Sequence, residues 1–185
     1  MGVSTDEVLL NCKDDYESLP YKTKAMLEWF LNCTTEQFIF LCDNDTYVNY
    51  RKLSELPYAK YDYSGKSSLW PPNSKLGVTF QYKDGRGNTI ENCHPWASGG
   101  YGYFLSRKAA EIIVTSGEPT SWAEDLWVGQ VLGPRMDILK YDYPEYHNNV
   151  TWHWWKPVGG KITPYELLEV YRNGGVPQGK KWYMR

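Results

Sequence analysis

Two aspartates, Asp43 and Asp45, stand two residues apart at the end of an apolar run, Phe38-Ile39-Phe40-Leu41-Cys42. Carboxylates so spaced offer hard oxygen donors of the kind Mn²⁺ or Mg²⁺ takes, and such a cation bridges readily to phosphate oxygens. The pair therefore suggests a metal that holds a pyrophosphate. A bare Asp-x-Asp is more often a solvated turn or a helix cap. Here a run this apolar stops abruptly in three polar residues, Asp43-Asn44-Asp45, at the carboxyl edge of a strand, where open α/β sheets bind ligands. Further along, Gly99, Gly100 and Gly102 can let the backbone approach a ligand closely, although a strand-to-helix turn also uses glycine. Glu124 and Asp125 form an acidic pair in the first turn of a helix, a place the macrodipole favours on structural grounds alone. The only histidines are His94, His147 and His153, and a lone histidine is more often a core or surface residue than a ligand.

The elements that must position these residues follow from periodicity. The segment 6–12, with Val8, Leu9 and Leu10, reads as a short buried strand, and 18–33 as a helix with Pro20 in its first turn and Leu19, Thr23, Met26, Leu27, Phe30 and Leu31 on one face. The run 37–42 reads as a central strand buried on both faces, and 47–56 as a helix that stops before Pro57. Strands are expected at 58–63 and 77–82, with a hairpin turn at Lys83-Asp84-Gly85-Arg86-Gly87-Asn88. Helices are expected from Ser106 through Val114 and over 123–132, a strand over 137–141, and a last helix over 163–173 behind the capping box Thr163-Pro164-Tyr165-Glu166. Strands alternating with helices, then an antiparallel insertion, argue an α/β sheet domain.

Composition sets bounds on function. The 185 residues suit one domain, and 42% apolar with 23% charged residues can build a packed core. A net charge of −2 leaves no basic footprint for nucleic acid, and no apolar run is long enough to span a bilayer. Cys12, Cys33, Cys42 and Cys93 form no Cys-x-x-Cys pair and are read as buried free thiols. Sequons start at Asn32, Asn44 and Asn149, but Asn44 lies inside the acidic triplet, so they do not settle the compartment. Aromatic residues reach 16%, with nine Trp and sixteen Tyr, an excess that suits hydroxyl-rich ligands as well as cores.

Four blocks in order carry a resemblance. The runs Asp15-Tyr16-Glu17-Ser18-Leu19-Pro20-Tyr21-Lys22-Thr23 and Phe38 to Asn49, the segment Ala97-Ser98-Gly99-Gly100-Tyr101-Gly102-Tyr103-Phe104-Leu105-Ser106, and Glu124-Asp125-Leu126-Trp127-Val128-Gly129 together resemble the Fringe and β1,3-galactosyltransferase group, glycosyltransferase family 31. The resemblance implies a GT-A fold, a mixed α/β nucleotide-sugar domain of one piece over 1–185 with a small antiparallel insertion. It implies an inverting enzyme that moves a sugar from a UDP-sugar to a hydroxyl of a glycan or glycoprotein, with Mn²⁺ or Mg²⁺ as cofactor. By that likeness Asp45 binds the metal, Asp43 supports the ribose or a water on the metal, and Asn44 stands where many relatives carry a third Asp. Asp125 matches the base that takes the acceptor proton, with Glu124 as the alternative. Trp96, Ser98, Gly99, Gly100, Tyr101, Trp122 and Trp127 would line the sugar and acceptor pocket. His153, in Trp152-His153-Trp154-Trp155-Lys156-Pro157, is favoured over His147 as the histidine that completes the metal site, and Lys156 would contact the diphosphate.

The likeness departs from the family at the start, where the match begins almost at Met1. A truncated chain, or a nucleotide pocket built from fewer elements, is expected, and with no stem or anchor a cytosolic viral or microbial enzyme stands beside a luminal catalytic domain. The competing reading is a non-catalytic carbohydrate-binding module whose acidic turn holds a divalent metal. It accounts for the aromatic residues but leaves Asp125 without a role.

Overall fold

The computed structural model describes residues 7–44, 46–66, 78–140, 151–153 and 172. The acidic turn and the glycine segment are brought together by a four-stranded sheet in the order β1-β6-β3-β7. Its strands are Phe38–Leu41 (β1), Tyr63–Gly65 (β3), Tyr103–Ser106 (β6) and Ile138–Lys140 (β7). β6 runs antiparallel to both β1 and β3, and β7 runs parallel to β3, so the sheet is mixed. Its register sets Leu41 opposite Tyr103, which fixes the exit of β1 beside the entry of β6.

The helix α1 (Leu19–Cys33) starts as the sequence demands. Asp15 accepts from the Ser18 backbone N–H at 2.9 Å, a 3-10 turn at Tyr16–Ser18 leads in, and Pro20 occupies the first turn, where a missing N–H costs nothing. Thr23, Leu27 and Phe30 are buried, with Met26 and Leu31 packed beside them. The same core takes one side of α3 (Arg107–Thr115), through Ala109, Ala110 and Ile113, and of α4 (Glu124–Leu132), through Trp127, Val128 and Leu132. Ser106 caps α3 by accepting from the Ala109 N–H at 3.1 Å. Arg107 fastens the C-terminal end of α1 by donating to the carbonyls of Leu31 and Thr34, at 2.6 and 3.1 Å.

Several expectations from the sequence require correction. Residues 7–10 form no strand, and Leu9 is 80% exposed: three apolar side chains do not make a strand unless a sheet edge pairs with them. β1 is an edge strand among the described residues, with only Leu41 buried and the other three half-buried. Its apolar character has a different cause, since Ile39 and Leu41 face the helical core while Phe38 and Phe40 face a second cluster with Leu53, Phe104 and Tyr58. The helix expected over 47–56 is only Tyr50–Ser54 (α2), capped by Asn49, because Thr46–Val48 is the strand β2, antiparallel to Thr151–His153 (β8). Helical spacing over the whole segment was imitated by a short strand followed by a short helix. The segment 58–63 begins as a 3-10 turn, Tyr58–Lys60, and becomes strand only at Tyr63.

The hairpin forms as expected from Phe80–Lys83 (β4) and Thr89–Cys93 (β5), closed by Asp84, which accepts from the backbone N–H groups of Arg86 and Asn88 at 2.9 and 2.7 Å. All four cysteines are free, but only Cys93 is buried, and its thiol is pushed up to about 11 by that burial. Cys33 and Cys42 are exposed because they fall at the ends of α1 and β1 rather than within the core. No described helix is long and apolar enough to cross a membrane. The helix expected over 163–173 lies outside the described residues except for Arg172, which is helical.

Candidate active site

The site is organised by the segment 97–102, which joins the other parts by backbone hydrogen bonds. The Ala97 N–H donates to the buried Tyr63 hydroxyl at 2.8 Å, and the Ser98 N–H donates to the Lys66 carbonyl at 2.8 Å, so β3 fixes its start. The Asp43 N–H donates to the Gly99 carbonyl at 3.3 Å, and the Thr46 hydroxyl donates to the Gly100 carbonyl at 2.7 Å. These two bonds dock the turn after β1 onto the glycines. From the other side the Gly99 N–H donates to Asp125 Oδ2 at 3.0 Å. The acidic turn, the glycine segment and the start of α4 thus form one contiguous structure.

Two of the glycines are explained by what occupies the place of a side chain. A Cβ on Gly99 would lie 2.2 Å from Glu124 Oε1, and one on Gly102 would lie 2.2 Å from the ring of Phe40. Gly102 also has a φ of +81°, which side chains with a Cβ rarely adopt. The expectation that these glycines admit a ligand is corrected for Gly99: the group that approaches it is the protein's own carboxyl group, and both Gly99 and Gly100 are buried.

Glu124 and Asp125 differ in environment although adjacent. Asp125 Oδ1 accepts from the Leu126 N–H at 2.7 Å and Oδ2 from Gly99, and the Trp96 side chain adds a third donor. Burial nevertheless outweighs these bonds and raises the Asp125 pKa above the ordinary carboxylate value. Glu124 accepts one bond, from the Tyr103 hydroxyl at 2.8 Å. Burial first, then the neighbouring charges of Asp125 and Asp43, push its pKa well up. Both residues keep part of their surface accessible, so the surrounding protein dehydrates them without closing them off. Asp125 is therefore a carboxylate held by donors, and Glu124 is the better retained acid of the pair.

The aromatic residues divide differently from the expectation. Trp127 is 1% exposed and belongs to the helical core, so it lines no pocket. Helix periodicity explains this, since Trp127, Val128, Val131 and Leu132 share the inward side of α4. Trp96 is likewise buried, packed with Cys93 and Leu126, stacked on Phe80 and edge-on to Tyr82, and reaches the site through its bond to Asp125. Trp122 is half-buried beside the hairpin, and Tyr101 is half-buried with the Lys66 ammonium 3.5 Å from its ring centroid. Burial alone pulls the Lys66 pKa down to about 8. Ser98, also half-buried, precedes the glycines.

The donors expected for a metal are placed only in part. Asp43 is described, half-buried, and its charge is felt by Tyr16 and Glu124. Asp45, His147 and Lys156 lie outside the described residues, as do Trp154 and Trp155. His153 is described through its backbone, which the β2–β8 register sets opposite Thr46, one residue past Asp45. No group of three metal-binding side chains occurs among the described residues. Two carboxylates and an imidazole, the donor types at 43, 45 and 153, suit a divalent cation such as Mn²⁺ by their chemistry. Residues that sequence reasoning did not single out are Tyr63, Thr46 and Tyr103, which hold the segment and Glu124; a hydroxyl at a strand's entry carries no periodic signal. His94 is structural, with Nδ1 3.2 Å from the Val78 carbonyl and its backbone N–H donating to Gln130 Oε1.

Comparison with known proteins adds one match. The model of a galactosyltransferase family covers residues 4–144 of this chain, which bears out the resemblance to glycosyltransferase family 31 carried by the four motifs. No curated protein matches the chain as a relative.

Proposed function

The chain belongs to the galactosyltransferase family, and on that premise we propose that it is a metal-dependent, inverting glycosyltransferase of GT-A type that moves a sugar from a UDP-sugar to a hydroxyl of a glycan or glycoprotein. The observation that carries this reading is the junction itself: the turn bearing Asp43 and the carboxylate of Asp125 are hydrogen-bonded to the same residue, Gly99. A nucleotide diphosphate at the turn and an acceptor hydroxyl at Asp125 would then be neighbours.

Asp125 acts as the general base. Its carboxylate takes the proton of the acceptor hydroxyl while that oxygen forms its bond to the anomeric carbon from the face opposite UDP. The bond from the anomeric carbon to the phosphate oxygen breaks, and its electron pair leaves with UDP. A pKa raised by burial makes Asp125 a stronger base than a solvated carboxylate, and three donors hold it in orientation. Glu124 is the weaker candidate, because burial and the charges of Asp125 and Asp43 raise its pKa well above the ordinary value and it is committed to Tyr103. Asp45 and Asp43, with His153 preferred to His147, would hold Mn²⁺ or Mg²⁺, and Lys156 would face the diphosphate. The cation would supply positive charge at the departing diphosphate. His153 is preferred because its strand pairs directly with the strand that leaves the acidic turn.

The test is Mn²⁺-dependent release of UDP from a panel of UDP-sugars, with and without glycan acceptors. Stimulation by both a metal and an acceptor supports the reading. Binding of glycans with no turnover of any donor would favour a carbohydrate-binding module instead.

A further inference from the structure

Resting on the transferase reading, we infer that Tyr16, backed by Trp122 and held by the β4–β5 hairpin through Arg86, is the platform on which a pyranose ring of the acceptor stacks. A single exposed aromatic side chain would mean nothing. Tyr16 differs in how it is supported. Its ring is 63% exposed, and its centroid lies 5.9 Å from that of Trp122 at 37°. Trp122 is fixed on its own account, for its indole N–H donates to Asp84 Oδ2 at 3.2 Å and the Arg86 guanidinium lies 4.5 Å over its ring. Arg86 also pairs with Glu17, the residue next to Tyr16, at 2.5 Å. The hairpin tip therefore braces both rings from behind and sets charged groups around an open aromatic face.

That combination suits a neutral sugar. One face of a pyranose is C–H rich and stacks on an aromatic ring, while its hydroxyls turn outward to polar groups. The platform also stands beside the chemistry. The charges of Asp43 and Asp125 both act on the Tyr16 hydroxyl, and Trp122 lies two residues before the helix that begins with Glu124 and carries Asp125. The diphosphate belongs at the 43–45 turn, so a ring resting on Tyr16 and presenting a hydroxyl to Asp125 is the acceptor's rather than the donor's. The core makes no demand on an exposed Tyr16 ring, which lies in a 3-10 turn whose cap is formed by Asp15.

Ligand-observed saturation-transfer NMR with methyl β-galactopyranoside and methyl N-acetyl-β-glucosaminide tests the inference on the full chain without needing turnover. Wild type and Tyr16→Phe should bind through the C–H face, and Tyr16→Ala should bind about tenfold more weakly. With an active donor in hand, the ratio of acceptor KM to donor KM should rise about tenfold in Tyr16→Ala and not in Tyr16→Phe. Failure of wild type to bind either glycoside, equal binding by Tyr16→Ala, or a matching rise in donor KM would each overturn it. Ring-dependent binding by a protein that turns over no donor would uphold the platform and sink the transferase reading instead.

Discussion

Trp122 at the hairpin rim and Asp125 in the acidic centre are only three positions apart in the chain, yet the two regions are held by opposite means. At the centre the groups are fixed by main-chain bonds and close packing: Asp125 by two main-chain N–H groups, Gly99 by the carboxyl that fills its missing side chain, and Gly102 by the Phe40 ring packed against it. At the rim the fastenings are an exposed ion pair, a cation over a ring and one indole bond. The first arrangement leaves no room for substitution, and the second leaves much. A transferase has use for both, because the atoms that react must not move while the surface that chooses an acceptor can vary.

Four substitutions probe that contrast, beginning with the largest effect. Asp125→Asn should lower transfer by about a thousandfold while UDP binding by calorimetry persists, since the amide keeps an acceptor oxygen for one N–H but cannot take a proton. Retained transfer would break the assignment of the base. Gly102→Ala should cost about 3 kcal/mol in urea unfolding, through its positive φ and the collision with Phe40 together. An unchanged midpoint would show that the centre is softer than its geometry implies.

The third substitution uses pH. The folded pKa of Glu124 lies above its ordinary value of 4.5, so the folded state binds this proton more tightly than the unfolded state. Its contribution therefore favours folding at acid pH and becomes a cost as pH rises from the unfolded value to the folded one. Glu124→Gln keeps an acceptor for Tyr103 and removes that cost. Its melting temperature should fall less than that of wild type as pH rises above 4.5, and parallel curves would refute the shift. Loss of transfer in acid should likewise set in above the pH expected of a solvated carboxylate, because Asp125 is raised too. The smallest effect belongs to the rim: Arg86→Met should change stability by no more than about 1 kcal/mol, as exposed pairs do. A larger loss would mean that the hairpin is structural and not only a clasp.

The same contrast explains what could be read from the sequence. The acidic pair, the glycines, α1, α3, α4 and the hairpin were legible because caps, turn residues and helical spacing are local signals. The roles of the aromatic residues were not, because Trp122 just before α4 and Trp127 within it both flank the acidic pair, and only packing shows that Trp127 joins the core. The glycines were recognised as places of close approach, but the approaching group, Glu124, lies 25 residues from Gly99 and no local pattern names it. The short β2 was hidden for a similar reason: its partner strand β8 begins at Thr151, 103 residues after Val48 in the chain.

The account stands on a division of labour in which the acidic turn holds a nucleotide diphosphate through a cation while the start of α4 performs the proton transfer. Thermal unfolding with UDP, with and without Mn²⁺, tests it most directly, since a ligand that binds only the native state raises the melting temperature. UDP should raise it in the presence of Mn²⁺, and Asp45→Ala should abolish that rise. An equal rise without any divalent metal, or a rise that survives Asp45→Ala, would contradict the division and move the nucleotide away from the turn.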